Sequence, residues 1–345
     1  MKGKLVSFVI SEALRAKPGK EELHIQSKRS APHYFGETIP HQFIVSQEKI
    51  SIRNHQGEVF LKTYKPDMLL VEIRFDVDDI FSDEIFDLND DAIKYCYNFL
   101  KEKGGKDVDK FAEEYSVYIV YGYEGDPEQF FINKSKIVAL LKSERIELDP
   151  EEVDYTMRAQ MKYANNDLAI VDWDGAFIFE PNGEFEFTLE LLQIANLQLV
   201  RYHSLDSDID ERLKHAVRLI KAAPEKSKFL FNAAEVMQVF KKTMLVRSES
   251  ISEFQAVDRE IKLIGDWYSA RLFDLVSKKF KLDEWRKTIK EKLDDLEDVY
   301  SVASENFTVS WERRGHTIEM IGWYILLVGW MVFLLKDLFA LVFEK

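Results

Sequence analysis

Asp76, Asp78 and Asp79 offer hard oxygen donors at the close spacing a divalent cation uses. They sit in a stretch, Glu72 to Asp91, with nine acidic residues and one basic residue, Arg74. A calcium loop also needs a glycine at its turn and a closing glutamate. Both are missing, so the stretch reads as a solvated acidic loop. Asp206-Ser-Asp-Ile-Asp210 alternates in the same way, but Glu211 stands where such a loop needs glycine, which leaves a helix-surface or capping role. Asp172-Trp-Asp-Gly175 reads as a tight hairpin with an aromatic edge. Gln193, Asn196 and Gln198 interrupt an otherwise apolar helical run. Amides in that setting hydrogen-bond between helices and fix their register. Arg313, Arg314, His316, Glu319 and Trp323 gather where a long apolar run begins. His316 and Glu319, three residues apart, share one helical face there.

None of these groups amounts to a catalytic, cofactor or metal centre, and none is expected. The chain lacks Gly-x-Gly-x-x-Gly, a phosphate loop, Gly-x-Ser-x-Gly and His-Glu-x-x-His. A lone cysteine, Cys96, rules out an internal disulfide or a thiolate metal site and reads as a buried structural thiol. The formal net charge of −14 argues against a general nucleic-acid surface, which needs clustered Lys and Arg. Apolar residues at 46% are enough for a folded body.

The elements that must position these side chains fall into two halves. Leu5–Ile10 reads as a first strand, and Arg15 to Gly36, rich in Lys, Ser, Pro and Gly, as a long loop. His41–Val45, Ile50–Arg53, Val59–Thr63 and Leu69–Phe75 alternate as strands do, with a turn at His55-Gln-Gly57. Asp90 to Phe111 is helical with a break at Gly104-Gly105, and Tyr115–Tyr123 is a strand. Asp126-Pro-Glu-Gln129 opens a helix: Asp caps it, Pro takes the first position and Gln reaches back. Val153–Tyr163 alternates and is expected to be a long strand. A hairpin of Leu168–Val171 and Ala176–Phe179 then closes the sheet.

After Gly183 the strand signals end. Phe185–Ala223 reads as a long helix buried on most sides, and Phe229 to Val246 as a second. Ser250-Ile-Ser-Glu253 is a capping box opening a third. Its apolar positions, Phe254 to Leu275, step by three and four, as do Leu282, Trp285, Ile289, Leu293, Leu296, Tyr300, Ala303 and Phe307. Such seams resemble coiled coils. No proline falls between Leu282 and Leu335, so the last helix continues into Met320–Leu335, sixteen uncharged residues. At about 1.5 Å per residue these reach about 24 Å, a little short of a hydrocarbon core of about 30 Å. Continuation to Phe343 closes the gap, with Lys336 able to snorkel. The expectation is one C-terminal transmembrane helix.

Val171-Asp-Trp-Asp-Gly-Ala176, Leu189–Leu199 with Arg201-Tyr202, and Trp311–Met320 running into the apolar span together resemble the family named for "required for meiotic nuclear division". The resemblance covers roughly residues 115–340. It implies an α/β body, a helical stalk and one C-terminal membrane helix. For eukaryotic members it implies the mitochondrial inner membrane, oligomers and support of translation. It carries over no catalytic residue.

The expected fold class is therefore α+β: an N-terminal mixed or antiparallel sheet domain with helices (1–183), a long-helix stalk (184–316) and a transmembrane helix (317–343). The expected function is that of a non-enzymatic, membrane-anchored scaffold or tether. It would self-associate through its stalk and present the α+β domain in the cytoplasm, or in the matrix if the chain is eukaryotic. The implied location is the inner (cytoplasmic) membrane, or the mitochondrial inner membrane. The implied partners are the lipid membrane, further copies of the chain and a protein the sequence does not name, with no direct nucleic-acid contact. Two alternatives stand beside this: an ion-channel or transporter subunit with a helical stalk, and a ligand-sensing or cryptic enzyme domain.

Overall fold

A computed structural model describes residues 1–14, 21–22, 42–64, 67–222, 245, 248, 252 and 267–343. The loop expected at 15–36 lies outside these residues apart from a two-residue strand. The helix expected from Phe229 also lies almost wholly outside them, and the one expected from Ser250 is described at Ser252 and from Trp267 onward, where it is helical.

The strands are β1 (Lys2–Glu12), β2 (Glu21–Glu22), β3 (Gln42–Ile52), β4 (His55–Tyr64), β5 (Met68–Val77), β6 (Glu113–Tyr121), β7 (Gln160–Met161), β8 (Leu168–Val171) and β9 (Gly175–Phe179). They form one sheet in the order β2-β3-β4-β5-β1-β6-β9-β8-β7. Every pairing is antiparallel except β6 with β9. That parallel pair needs a crossover, which the helices between β6 and β7 supply. β1 lies between β5 and β6, and Leu5 to Ile10 are fully buried. Leu5 and Val9 join one apolar cluster, while Val6, Phe8 and Ile10 point the other way, as alternation along a strand requires. A central strand covered on both faces reads as an unbroken apolar run for this reason.

Helix α1 (Glu84–Glu102) covers the Leu5/Val9 face with Ile85, Leu88, Ala92, Cys96, Phe99 and Leu100, a three-and-four repeat. Cys96 is buried, its thiol pointed at the Ser7 carbonyl and pushed well above its ordinary pKa by burial. A one-turn helix, α2 (Val108–Phe111), follows. Asp126 caps a 3-10 segment, Pro127–Asn133, by accepting from the Glu128 amide, and the chain continues as α3 (Lys134–Leu141). The opposite face of the sheet receives α5 (Glu186–Ala222), whose Leu189–Val200 stretch is buried throughout.

Three expectations are corrected. Val153–Tyr163 is no long strand: Pro150–Met157 is helix α4, followed by the two residues of β7. Asp149 accepts from the Glu151 amide and Pro150 takes the first helical position, so the cap overrides the alternation. Val153 and Met157, four apart, are buried, while Tyr155 faces out. The hairpin turn falls at Arg53 and Asn54, both at positive φ (47° and 68°), rather than at His55–Gly57. Gly57 belongs to β4, where an added Cβ would lie 2.6 Å from the Phe75 ring.

The third correction concerns the C-terminus. Helix α6 (Trp267–Lys279) precedes α7 (Leu282–Phe343), which is 62 residues long. Among the described residues, no helix is long and apolar enough to cross a membrane. The expected transmembrane helix at 317–343, and the inner-membrane location built on it, are overturned. The described exposed side chains in this part of α7 run from Ile318 to Phe333, sixteen residues. At about 1.5 Å each they reach about 24 Å, short of a core of about 30 Å. They also include Glu319 and two glycines, Gly322 and Gly329.

The chain divides into two compact units, Met1–Asp208 with Ser252–Lys290, and Ile209–Ile251 with Glu291–Lys345. The first holds the sheet, α1 to α4, the start of α5 and α6. In α7, the expected seam is buried at Leu282, Ile289, Leu293 and Leu296. Those side chains are already covered within one chain. Tyr300, Ala303 and Phe307 lie outside the described side chains.

Candidate functional site

Among the described residues, a dense cluster of perturbed groups lies between the sheet and the start of α5. Lys62 and Tyr64 on β4, and Glu72 and Arg74 on β5, alternate with apolar neighbours and share one face. Glu72 is fully buried. Its Oε2 accepts from Lys62 Nζ at 2.7 Å and its Oε1 from Arg74 Nε at 2.5 Å. Arg74 also forks onto Glu186, Nη1 to Oε1 at 2.5 Å and Nη2 to Oε2 at 2.9 Å. Glu186 is the first residue of α5, so this bidentate pair joins the helix start to β5. Two turns on, Gln193 donates to Glu72 and accepts from Tyr64 at 3.0 Å and from Gln42 at 2.9 Å.

Burial alone would raise the Glu72 carboxyl. Arg74 and Lys62 overcome that and hold it at about 2. Burial pushes Glu190, on the next turn of α5 from Glu186, up to about 7; Lys62 opposes this and Glu186 adds to it. Tyr64 is raised well above its ordinary value, first by burial and then by Glu190 and Glu72. The site thus holds a permanent ion cluster beside one carboxyl that titrates near neutrality. Lys62, Glu72, Arg74, Glu186 and Gln193 are bonded to one another, which clamps the start of α5 to the sheet.

A second cluster surrounds the 172–175 hairpin. Asp172 is buried between Lys142 (3.1 Å) and Lys279 (3.0 Å), which tie the end of α3 and the end of α6 to the turn. The Tyr115 hydroxyl donates to the Asp172 carbonyl at 3.1 Å. Asp174 is raised to about 6 by burial, with Asp172 and Glu114 adding to it. Trp173 meets Phe280 edge to face. The hairpin is therefore a fastening point as well as a turn.

The acidic stretch is solvated, as expected, with Asp76, Asp78, Asp79, Asp83 and Asp90 all exposed, and several of its carboxylates are paired at the surface. Arg53 reaches Asp87 and Asp91, Arg145 reaches Asp87 and Asp90, and Lys136 reaches Asp83. Among the described residues no three His, Cys, Asp or Glu side chains gather as metal ligands would. A cleft of about 200 Å³ opens between the β8–β9 hairpin and the start of α5, lined by Asn166, Asp167, Glu180, Asn182, Phe185 and Tyr268 among others. That is below the range of about 300–1,000 Å³ usual for small-molecule sites.

Of the three inter-helix amides expected, Gln193 sits in the ion cluster, between helix and sheet rather than between helices. Asn196 donates back to the Leu192 carbonyl of its own helix at 2.9 Å. Gln198 is fully buried, and neither of its amide atoms has a hydrogen-bond partner. Glu319 and Trp323 are exposed on α7, and the side chains of Arg313, Arg314 and His316 lie outside the described residues. Sequence reasoning missed Lys62, Glu72, Arg74 and Glu190. The available signal was a charged pair two residues apart, Glu72 and Arg74, inside an apolar strand.

Sheet, covering helices and inward-turned charges define a mixed α+β protein whose sheet is fastened to the start of α5. Residues 9–186 match the family described as "Uncharacterized protein MJ0711, N-terminal domain". That span is more than half of the chain, and the chain belongs to this family. It ends at the Arg74 partner Glu186, before most of the stretches that carry the meiotic-division resemblance. The Uncharacterized protein MJ0711 of Methanocaldococcus jannaschii is 25% identical over 309 residues, covering 89% of this chain and 90% of that protein. No solved structure matches the chain significantly.

Proposed function

We propose that this protein is a non-enzymatic, self-associating scaffold that presents its sheet-containing unit to a partner protein. One observation carries the reading. Between Ile318 and Phe333, thirteen large apolar side chains are each at least 52% exposed. They cover every side of α7. Monomeric proteins rarely expose a contiguous apolar patch above a few hundred Å². Covering about 800 Å² of it would contribute about 20 kcal/mol gross, against an association cost of about 4–15 kcal/mol. The seam from Leu282 to Leu296 is already buried in the chain, so among the described residues of α7 this later stretch is the apolar surface left for further copies.

The ion cluster supports a binding role by fixing the body to α5. Its strongest groups face one another rather than a cleft. The test is the solution mass of the full chain by light scattering. A mass of several copies is expected. A chain that stays monomeric, including one that instead partitions onto phosphatidylcholine vesicles, overturns the reading.

A further inference from the structure

The spacing along the exposed end of α7 also says how copies would meet. Ile318, Ile321, Ile325, Val328 and Val332 step by three, four, three and four. That is a heptad repeat with both core positions filled, and each of the five residues is β-branched and more than half exposed. Trp323 and Trp330, one heptad apart, fall on the opposite side of the helix. Gly322 and Gly329, also one heptad apart, flank the stripe. An added Cβ at either glycine would meet nothing within 4 Å, so a neighbouring backbone can come close there.

Resting on the self-association proposed above, we infer that copies of this chain assemble through this stripe as a parallel bundle of three or four helices. β-branched side chains at both core positions disfavour two strands, for which leucine at the second core position is the better fit. Identical chains around one rotation axis run parallel, so each layer of the bundle holds the same residue from every copy. Ile321 meets Ile321, and Val328 meets Val328.

Two experiments on the full-length chain test this. In the first, Ile321→Leu and Val328→Leu are combined and the mass is measured by sedimentation equilibrium, with helix content checked by circular dichroism. The parent is expected at three or four times 40.5 kDa and the variant at twice that mass. A parent already at twice 40.5 kDa overturns the bundle while leaving self-association standing. In the second, Val328→Cys and Trp330→Cys are each placed in a Cys96→Ser chain and oxidised. A linked pair is expected for Val328→Cys and none for Trp330→Cys. The reverse pattern overturns the stripe. A monomeric parent removes both this inference and the scaffold reading.

Discussion

Glu72 is a fully buried carboxylate held between two cations. Its two partners, Lys62 and Arg74, are largely buried, with side-chain exposures of 4% and 18%. Removing the carboxylate leaves two cations in a low-dielectric site, which costs about 3–5 kcal/mol for a buried pair. Glu72→Gln is therefore expected to lower unfolding stability by that amount in urea titrations, and a loss under 1 kcal/mol would count against the clamp. Its folded value of about 2 lies below the ordinary 4.5. Its contribution is fully present above 4.5 and is lost as pH falls toward 2.

Glu190 has the opposite sign. Its folded value of about 7 lies above 4.5, so the folded state holds the proton more tightly and stability falls as pH rises between those values. Glu190→Gln is expected to stabilise the protein above pH 7 by up to about 3 kcal/mol, with no gain below 4.5. Paired unfolding curves at pH 4 and pH 8 would show it, and an equal effect at both pH values would contradict it. At the residue scale the one legible sign of this was the charged pair Glu72 and Arg74 inside an apolar strand. Glu72 looked like one acid among nine, because sequence order hides that its side chain shares a sheet face with Lys62 across the β4–β5 ladder.

At the scale of elements, the strongest periodicities were legible and the caps decided the rest. β1, β5, β6 and the β8–β9 hairpin lie where apolar runs and turn residues put them. The helix from Glu186 starts within a residue of its expected limit and is helical as far as the described residues go. Val153–Tyr163 was misread because alternate apolar residues fit a strand, while Asp149-Pro150 specifies a helix start through one hydrogen bond. The turn before β4 was misplaced because Arg53, rarely found at positive φ, takes that conformation while its guanidinium pairs with Asp87 and Asp91. The Asp149 cap gives a direct check. Asp149→Ala is expected to cost about 1 kcal/mol and to lower the Tm, whereas an unchanged Tm would argue that the cap does not hold α4.

At the scale of the whole molecule, composition and charge pointed to a folded body and a long-helix second half. They did not show where the two compact units divide: the first takes in the start of α5 and the start of α7. Nor did the sequence separate the two uses of α7. Its first four turns bury an apolar seam, while Ile318–Phe333 exposes apolar side chains all round. A hydropathy count treats that exposed stretch as a membrane span, an expectation the described helix does not meet. Scaffold and bundle both depend on what covers those sixteen residues. The most direct measurement is the mass of the full-length chain by light scattering across a hundredfold dilution. The account predicts a fixed multiple of 40.5 kDa, three or four copies, held throughout the dilution. A single 40.5 kDa species at every concentration would contradict it.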